Sequence, residues 1–199
     1  MAVELPQPRL PQAAVPKLLD WGADQKAPMG GGFQRLNRLG NRFALDITYP
    51  RLKPEPDGRI LIARLRRAKT EGALFPFPQP GLDIGNPGNP VVNGAGQAGT
   101  VLVLRGFTGG YVLREGQYFS IIHGGRRYLH NAAGDFIASA GGIMTITLDP
   151  MLRMDGLQDG AVVEVAKPYI EGIVSGASID IEQTIAKSKI PTITITERF

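Results

Sequence analysis

Gly94-Ala95-Gly96-Gln97-Ala98-Gly99 matches the spacing G-x-G-x-x-G. Such glycines let a backbone turn close around a pyrophosphate, provided that a strand precedes them and a helix follows. Here the β-branched and apolar run Thr100-Val101-Leu102-Val103-Leu104 follows and leads into another glycine turn. The stretch therefore reads as a glycine-rich linker, and no cofactor is expected. His123 and His130 are the only histidines, on either side of the hairpin signal Gly124-Gly125, where they could face each other. A metal would need further ligands, and the nearby carboxylates Glu115 and Asp135 sit near turns, so no metal site is expected. Ser120, His123 and Asp135 supply the residue types of a hydrolytic triad, but types within one hairpin do not make the geometry. With no nucleophile elbow and no paired-carboxylate pattern, no catalytic residue is predicted and the chain is not read as an enzyme.

The remaining chemistry is charge and stacking. Arg35, Arg38, Arg42, Arg51, Lys53, Arg59, Arg64, Arg66, Arg67 and Lys69 crowd one part of the chain. They fit a solvated helix face, a joint with another subunit, or a surface for an acidic partner or nucleic acid. Tyr118, Phe119, Arg126, Arg127 and Tyr128 would form a base-stacking platform on an OB-fold, or else supply core aromatics.

The elements that must position these residues are mostly strands. From 99 to 165, short β-branched and aromatic runs alternate with turn signals at Gly106 to Gly110, Gly124-Gly125, Asn131 to Gly134, Gly141-Gly142 and Gln158 to Gly160. That spacing marks an all-β barrel or sandwich. Before it, Phe33 to Leu39 and Arg42 to Tyr49 both alternate around the turn Gly40-Asn41, as a hairpin or two consecutive strands with Phe43, Leu45, Ile47 and Tyr49 on one face. Residues 58–70 read as the one helix, with Asp57 as N-cap, Leu61, Leu65 and Ala68 inward and Gly72 just past the end. Residues 81–99 read as a Gly/Pro/Asn boundary loop. Pro191 to Glu197 alternates isoleucine and threonine and is expected to pair back into the first sheet. Residues 1–32 carry prolines at 6, 8, 11, 16 and 28 and read as an extended arm anchored by Leu18, Leu19 and Trp21.

Composition sets bounds. The chain has 199 residues, a formal charge of +4 and no cysteine, so disulfides and thiolate metal sites are excluded. Gly 26 and Pro 16 favour short strands and many turns. No apolar run is long enough to be read as a membrane helix, and the proline-rich start does not read as a secretory signal.

The order of segments resembles the distal tail proteins of long-tailed bacteriophages. The resemblance runs over most of residues 33–165: Gln34 to Tyr49 ending in Pro50, a helix ending Leu65-Arg66-Arg67, and then Gly72-Ala73-Leu74-Phe75-Pro76. The linker from Val92 to Thr100 follows. Leu113-Arg114-Glu115-Gly116-Gln117-Tyr118-Phe119 and Leu148-Asp149-Pro150-Met151-Leu152-Arg153 complete it, the first with Gln117 where an acidic residue is frequent in that family. The resemblance implies a mainly β fold: a split-barrel ring domain with one helix, plus an inserted OB-like or galectin-like β-barrel domain. Its bounds would be an extended arm over 1–32, the ring domain over 33–85 and 166–199, and the inserted domain over 86–165.

It further implies a virion structural protein at the tail tip, assembled in the host cytoplasm. It would form a ring, usually a hexamer, joining the tail tube protein to the tail hub or tip protein. Neither cofactor nor membrane would be involved, and nucleic acid would pass only as cargo. Leu18, Leu19, Trp21, Arg35, Arg38, Arg42, Arg66 and Arg67 are the candidate subunit-interface residues. The alternative is an OB-like binding module for single-stranded nucleic acid or a glycan.

Overall fold

The computed structural model describes residues 2–7, 11–26, 29–36, 38–176, 180–184 and 186–198. Of the sequence features above, Pro8, Pro28 and Asn37 lie outside the described residues. Among the described residues the fold is mainly β with one α-helix, and two six-stranded sheets hold two cores.

Sheet A runs in the order Val3–Glu4, Ala73–Pro76, Tyr169–Val174, Ile193–Glu197, Arg42–Thr48, Ala13–Leu19. The alternation at both ends of the chain explains it. Phe43, Leu45, Ile47 and Tyr49 point inward, as do Ile193 and Ile195, and the strands pair antiparallel with Ile195 opposite Leu45. The helix Arg59–Glu71 covers this core with Leu61, Ile62, Leu65 and Ala68. It starts one residue later than its sequence suggests. Gly58 occupies the N-cap without a side-chain cap, because the chain enters through a bent helical turn over Pro54–Gly58 that contains Asp57. Gly72 ends the helix at φ 97°, a conformation that favours glycine.

Sheet B runs Val163–Glu164, Tyr118–His123, Arg126–Ala132, Met144–Leu152, Gly99–Phe107, Gly88–Val92. Its first and last strands nearly close it into a barrel, through a bridge between Val91 and Val162 and the bonds Val92 N–H to Ala161 O (2.9 Å) and Gly160 N–H to Val92 O (3.0 Å). Met144, Ile146 and Leu148 alternate inward onto Leu102, Leu104, Phe119 and Ile121. Part of the boundary loop is therefore a strand. Gly88–Val92 joins the barrel because its register shifts once, which accommodates Pro90.

The N-terminal arm is also strand. Ala13–Leu19 pairs with Arg42–Thr48, and Ala23–Lys26 pairs with Phe33–Leu36. Ala13–Leu19 and Ala23–Lys26 thus run antiparallel to Arg42–Thr48 and Phe33–Leu36 as a hairpin in two parts, with a break between its halves. Phe33–Leu36 and Arg42–Thr48 are consecutive strands with different partners, not a hairpin with each other. Pro16 is tolerated because Ala13–Leu19 is the edge of the sheet. Among the described residues, no helix is long and apolar enough to cross a membrane.

Candidate functional site

The residues with catalytic or ligating chemistry are dispersed or already engaged. His123 pairs with Arg126 and His130 with Phe119, so the two histidines sit at opposite ends of the hairpin and do not face each other. Ser120 is buried, and its hydroxyl donates to Glu164 Oε2 (2.6 Å) while accepting from Tyr169 N–H (3.1 Å). Asp135 accepts from Glu115 N–H (2.7 Å) at a turn. No group of three or more potential ligands is found among the described residues. The glycine stretch is the turn between Gly88–Val92 and Gly99–Phe107, so a strand follows the last glycine instead of a helix. Gly94 N–H donates to Asp159 (2.8 Å), and Gln97 closes the turn, donating to Asn93 O (2.9 Å) and accepting from Val103 N–H (2.6 Å). The Arg105 guanidinium holds the Asp159 carboxyl down to about 2, so an anion already occupies the face a phosphate would need.

What the fold builds instead is a polar junction between the two sheets. Glu197, at the end of the last strand, is buried and accepts four bonds. They come from Phe43 N–H of sheet A (2.7 Å), Leu129 N–H of sheet B (2.8 Å), and Arg153 Nη1 and Nη2 (2.9 Å each). Arg153 also donates to Leu129 O (3.2 Å) and lies over the Tyr128 ring. Beside it, His130 is fully buried, and its Nδ1–H donates to Pro150 O (2.8 Å). Burial, with the Arg153 charge acting the same way, pushes the imidazole down to about 3, so it is neutral at physiological pH. A second set joins the same sheets. Arg127 pairs with Glu164 (2.9 Å), its backbone N–H donates to Glu171 (3.0 Å), and its guanidinium lies over the Tyr169 ring. Sequence reasoning missed Glu197, although it occupies the inward position of the alternation begun by Ile193 and Ile195. A charge at an apolar position of a clean strand is the signal that finds it.

The five stacking candidates do not share an open face. Phe119 is core, Tyr118 packs edge-on to Phe43 and tilted against Phe77, Tyr128 rests under Arg153, and Arg127 is engaged with Glu164 and Tyr169. The basic cluster is likewise partly engaged. Arg35 pairs with Asp20 and Asp24, Arg59 with Glu55 and Arg67 with Glu71. Arg64 donates to Glu4 O (2.8 Å), and Lys69 gathers the carbonyls of Val174, Ser175 and Gly176. Arg38 and Arg66 are exposed.

The apolar side chains of the N-terminal hairpin remain outside both cores. Trp21 is 54% exposed with the Arg42 guanidinium over it, Leu18 is 47% exposed and Leu19 is half-buried. Farther along, Phe33 is 73% and Met29 97% exposed. A two-stranded ribbon with no packed face is marginal in water. Comparison with known proteins finds no matching family model and no match among curated proteins.

Proposed function

We propose that the chain is a structural subunit of a bacteriophage tail tip, assembling with copies of itself into a ring that joins the tail tube to the tip hub. The observation that carries this reading is the exposed ribbon in which Ala23–Lys26 pairs with Phe33–Leu36. Its apolar side chains have no core of their own, and it extends a hairpin whose other half is built into sheet A. A neighbouring copy is a natural cover, since a surface that mates with a different surface on the next copy closes into a ring when the rotation allows. The resemblance of segment order to distal tail proteins supports the same reading, as does the bracing of the two sheets through Glu197 and Glu171, which suits a part that transmits load.

Size-exclusion chromatography with light scattering tests it. A single high-order species that persists in moderate salt is the expected result. A monomer at all concentrations, or a monomer that binds labelled oligonucleotide with steep salt dependence, counts against it.

A further inference from the structure

Resting on the ring reading, we infer that the distal end of the ribbon on one copy seats in a proline-lined groove on the next copy. The groove lies beside the edge strand of sheet A, where Pro16, Pro78, Pro80, Leu82 and Tyr118 line a cavity of about 320 Å³. Prolines, a leucine and an aromatic ring form an apolar wall that suits Phe33 and Met29.

Charge selects the same pairing. Glu115 is the charged residue on the groove wall, and Lys26 is the charged residue of the ribbon's last pair, opposite Phe33. Among the described residues, neither Lys26 nor Glu115 has an ionic partner, whereas Asp24 and Arg35, farther back on the ribbon, pair with each other. The groove therefore presents a negative rim to a positive ribbon end.

The occupant has to be another copy. Pro16 lies in Ala13–Leu19 and Lys26 in Ala23–Lys26, on either side of the break in the hairpin. On its own chain the ribbon does not fill the groove, since Phe33 and Met29 stay exposed. Folding back at the break between the two halves would have to give up the bond from Trp21 N–H to Asn41 Oδ1 (2.7 Å) and the Arg35–Asp20 ion pair that tie them together. Ribbon and groove are different surfaces, so the contact is head-to-tail and propagates around a ring.

The chain has no cysteine, so single thiols can be placed at will. Phe33→Cys and Leu82→Cys proteins, mixed and treated with a short thiol-reactive bifunctional cross-linker, should give a cross-linked dimer that neither gives alone. The double variant should give a ladder that ends at the ring. In parallel, Lys26→Glu and Glu115→Lys should each weaken self-association up to about five-fold, and the double reversal should restore it. Circular dichroism checks that every variant keeps its β-fold.

If wild-type protein assembles but no 33–82 product forms, or Phe33→Cys alone cross-links, the groove is not the receptor although the ring stands. If both charge reversals leave association unchanged, the inference fails in the same way. If wild-type protein never assembles, the ring reading falls first and the inference with it.

Discussion

Replacing Glu197 by glutamine should cost about 3–5 kcal/mol of folding stability, although the two side chains have nearly the same shape. The carboxylate accepts Phe43 N–H and Arg153 Nη1 on one oxygen, and Leu129 N–H and Arg153 Nη2 on the other. Glutamine keeps one oxygen and turns an NH2 group toward the other two donors. One backbone amide then loses its acceptor in a buried place, at about 1–3 kcal/mol. The guanidinium, buried beside it, loses its counter-charge, which is the larger loss. The two overlap, so the sum is not additive. Urea unfolding followed by far-UV circular dichroism measures the change, since the lone tryptophan, Trp21, is exposed and reports poorly on the core. A second variant isolates the amides. Arg153→Met with Glu197→Leu removes both charges but leaves Phe43 and Leu129 unpaired, and should remain about 2 kcal/mol or more below wild type. A loss under about 1 kcal/mol for Glu197→Gln, or full recovery in the double variant, would refute the view that this carboxylate joins the sheets.

His130, held down to about 3, stays neutral in the fold while the unfolded chain takes up a proton near pH 6.5. Stability should therefore fall as pH drops from about 6.5 toward 3, and His130→Asn, which keeps a donor toward Pro150 O, should flatten that part of a pH series of urea melts. Equal slopes would contradict it. A Cβ on Gly172 would lie 2.0 Å from Thr196 O in the neighbouring strand, so Gly172→Ala should cost about 3 kcal/mol. Gly32→Ala, with open space around it, should be neutral within about 0.5 kcal/mol in the same thermal melts. Trp21→Ala should cost the dilute monomer no more than about 1 kcal/mol, because the indole is half exposed and held mainly by Arg42. The same change should weaken self-association measured by sedimentation. A large loss of monomer stability would place the indole in the chain's own core.

The parts of the fold legible in the sequence are those in which a local pattern decides. Phe43 to Tyr49, Met144 to Leu148 and Ile193 to Glu197 alternate cleanly, and each is a strand with that face inward. The helix follows from Leu61, Leu65 and Ala68 and the glycine after it. Ala13–Leu19 was hidden by Pro16, which is excluded from a central strand but acceptable at an edge, and edge position depends on distant pairing. Gly88–Val92 was hidden the same way by Pro90. Some partners of the basic cluster lie far off in sequence and could not be read locally: Lys69 meets carbonyls at 174–176 and Arg64 meets Glu4. Deleting residues 1–21, which looks harmless for a loose arm, would remove an edge strand of sheet A and is expected to destabilise the fold itself. Of the interface candidates, Leu18 and Trp21 lie exposed on the long hairpin, while Arg35 and Arg67 have partners within the chain.

Electron microscopy of the purified full chain, negatively stained at concentrations where light scattering detects the high-order species, is the most direct measurement. Closed rings of a single rotational order, lost when Phe33 and Met29 are both replaced by aspartate, are the predicted result. Isolated monomers, or open aggregates without rotational symmetry that both substitutions leave unchanged, would contradict a ring-forming structural subunit.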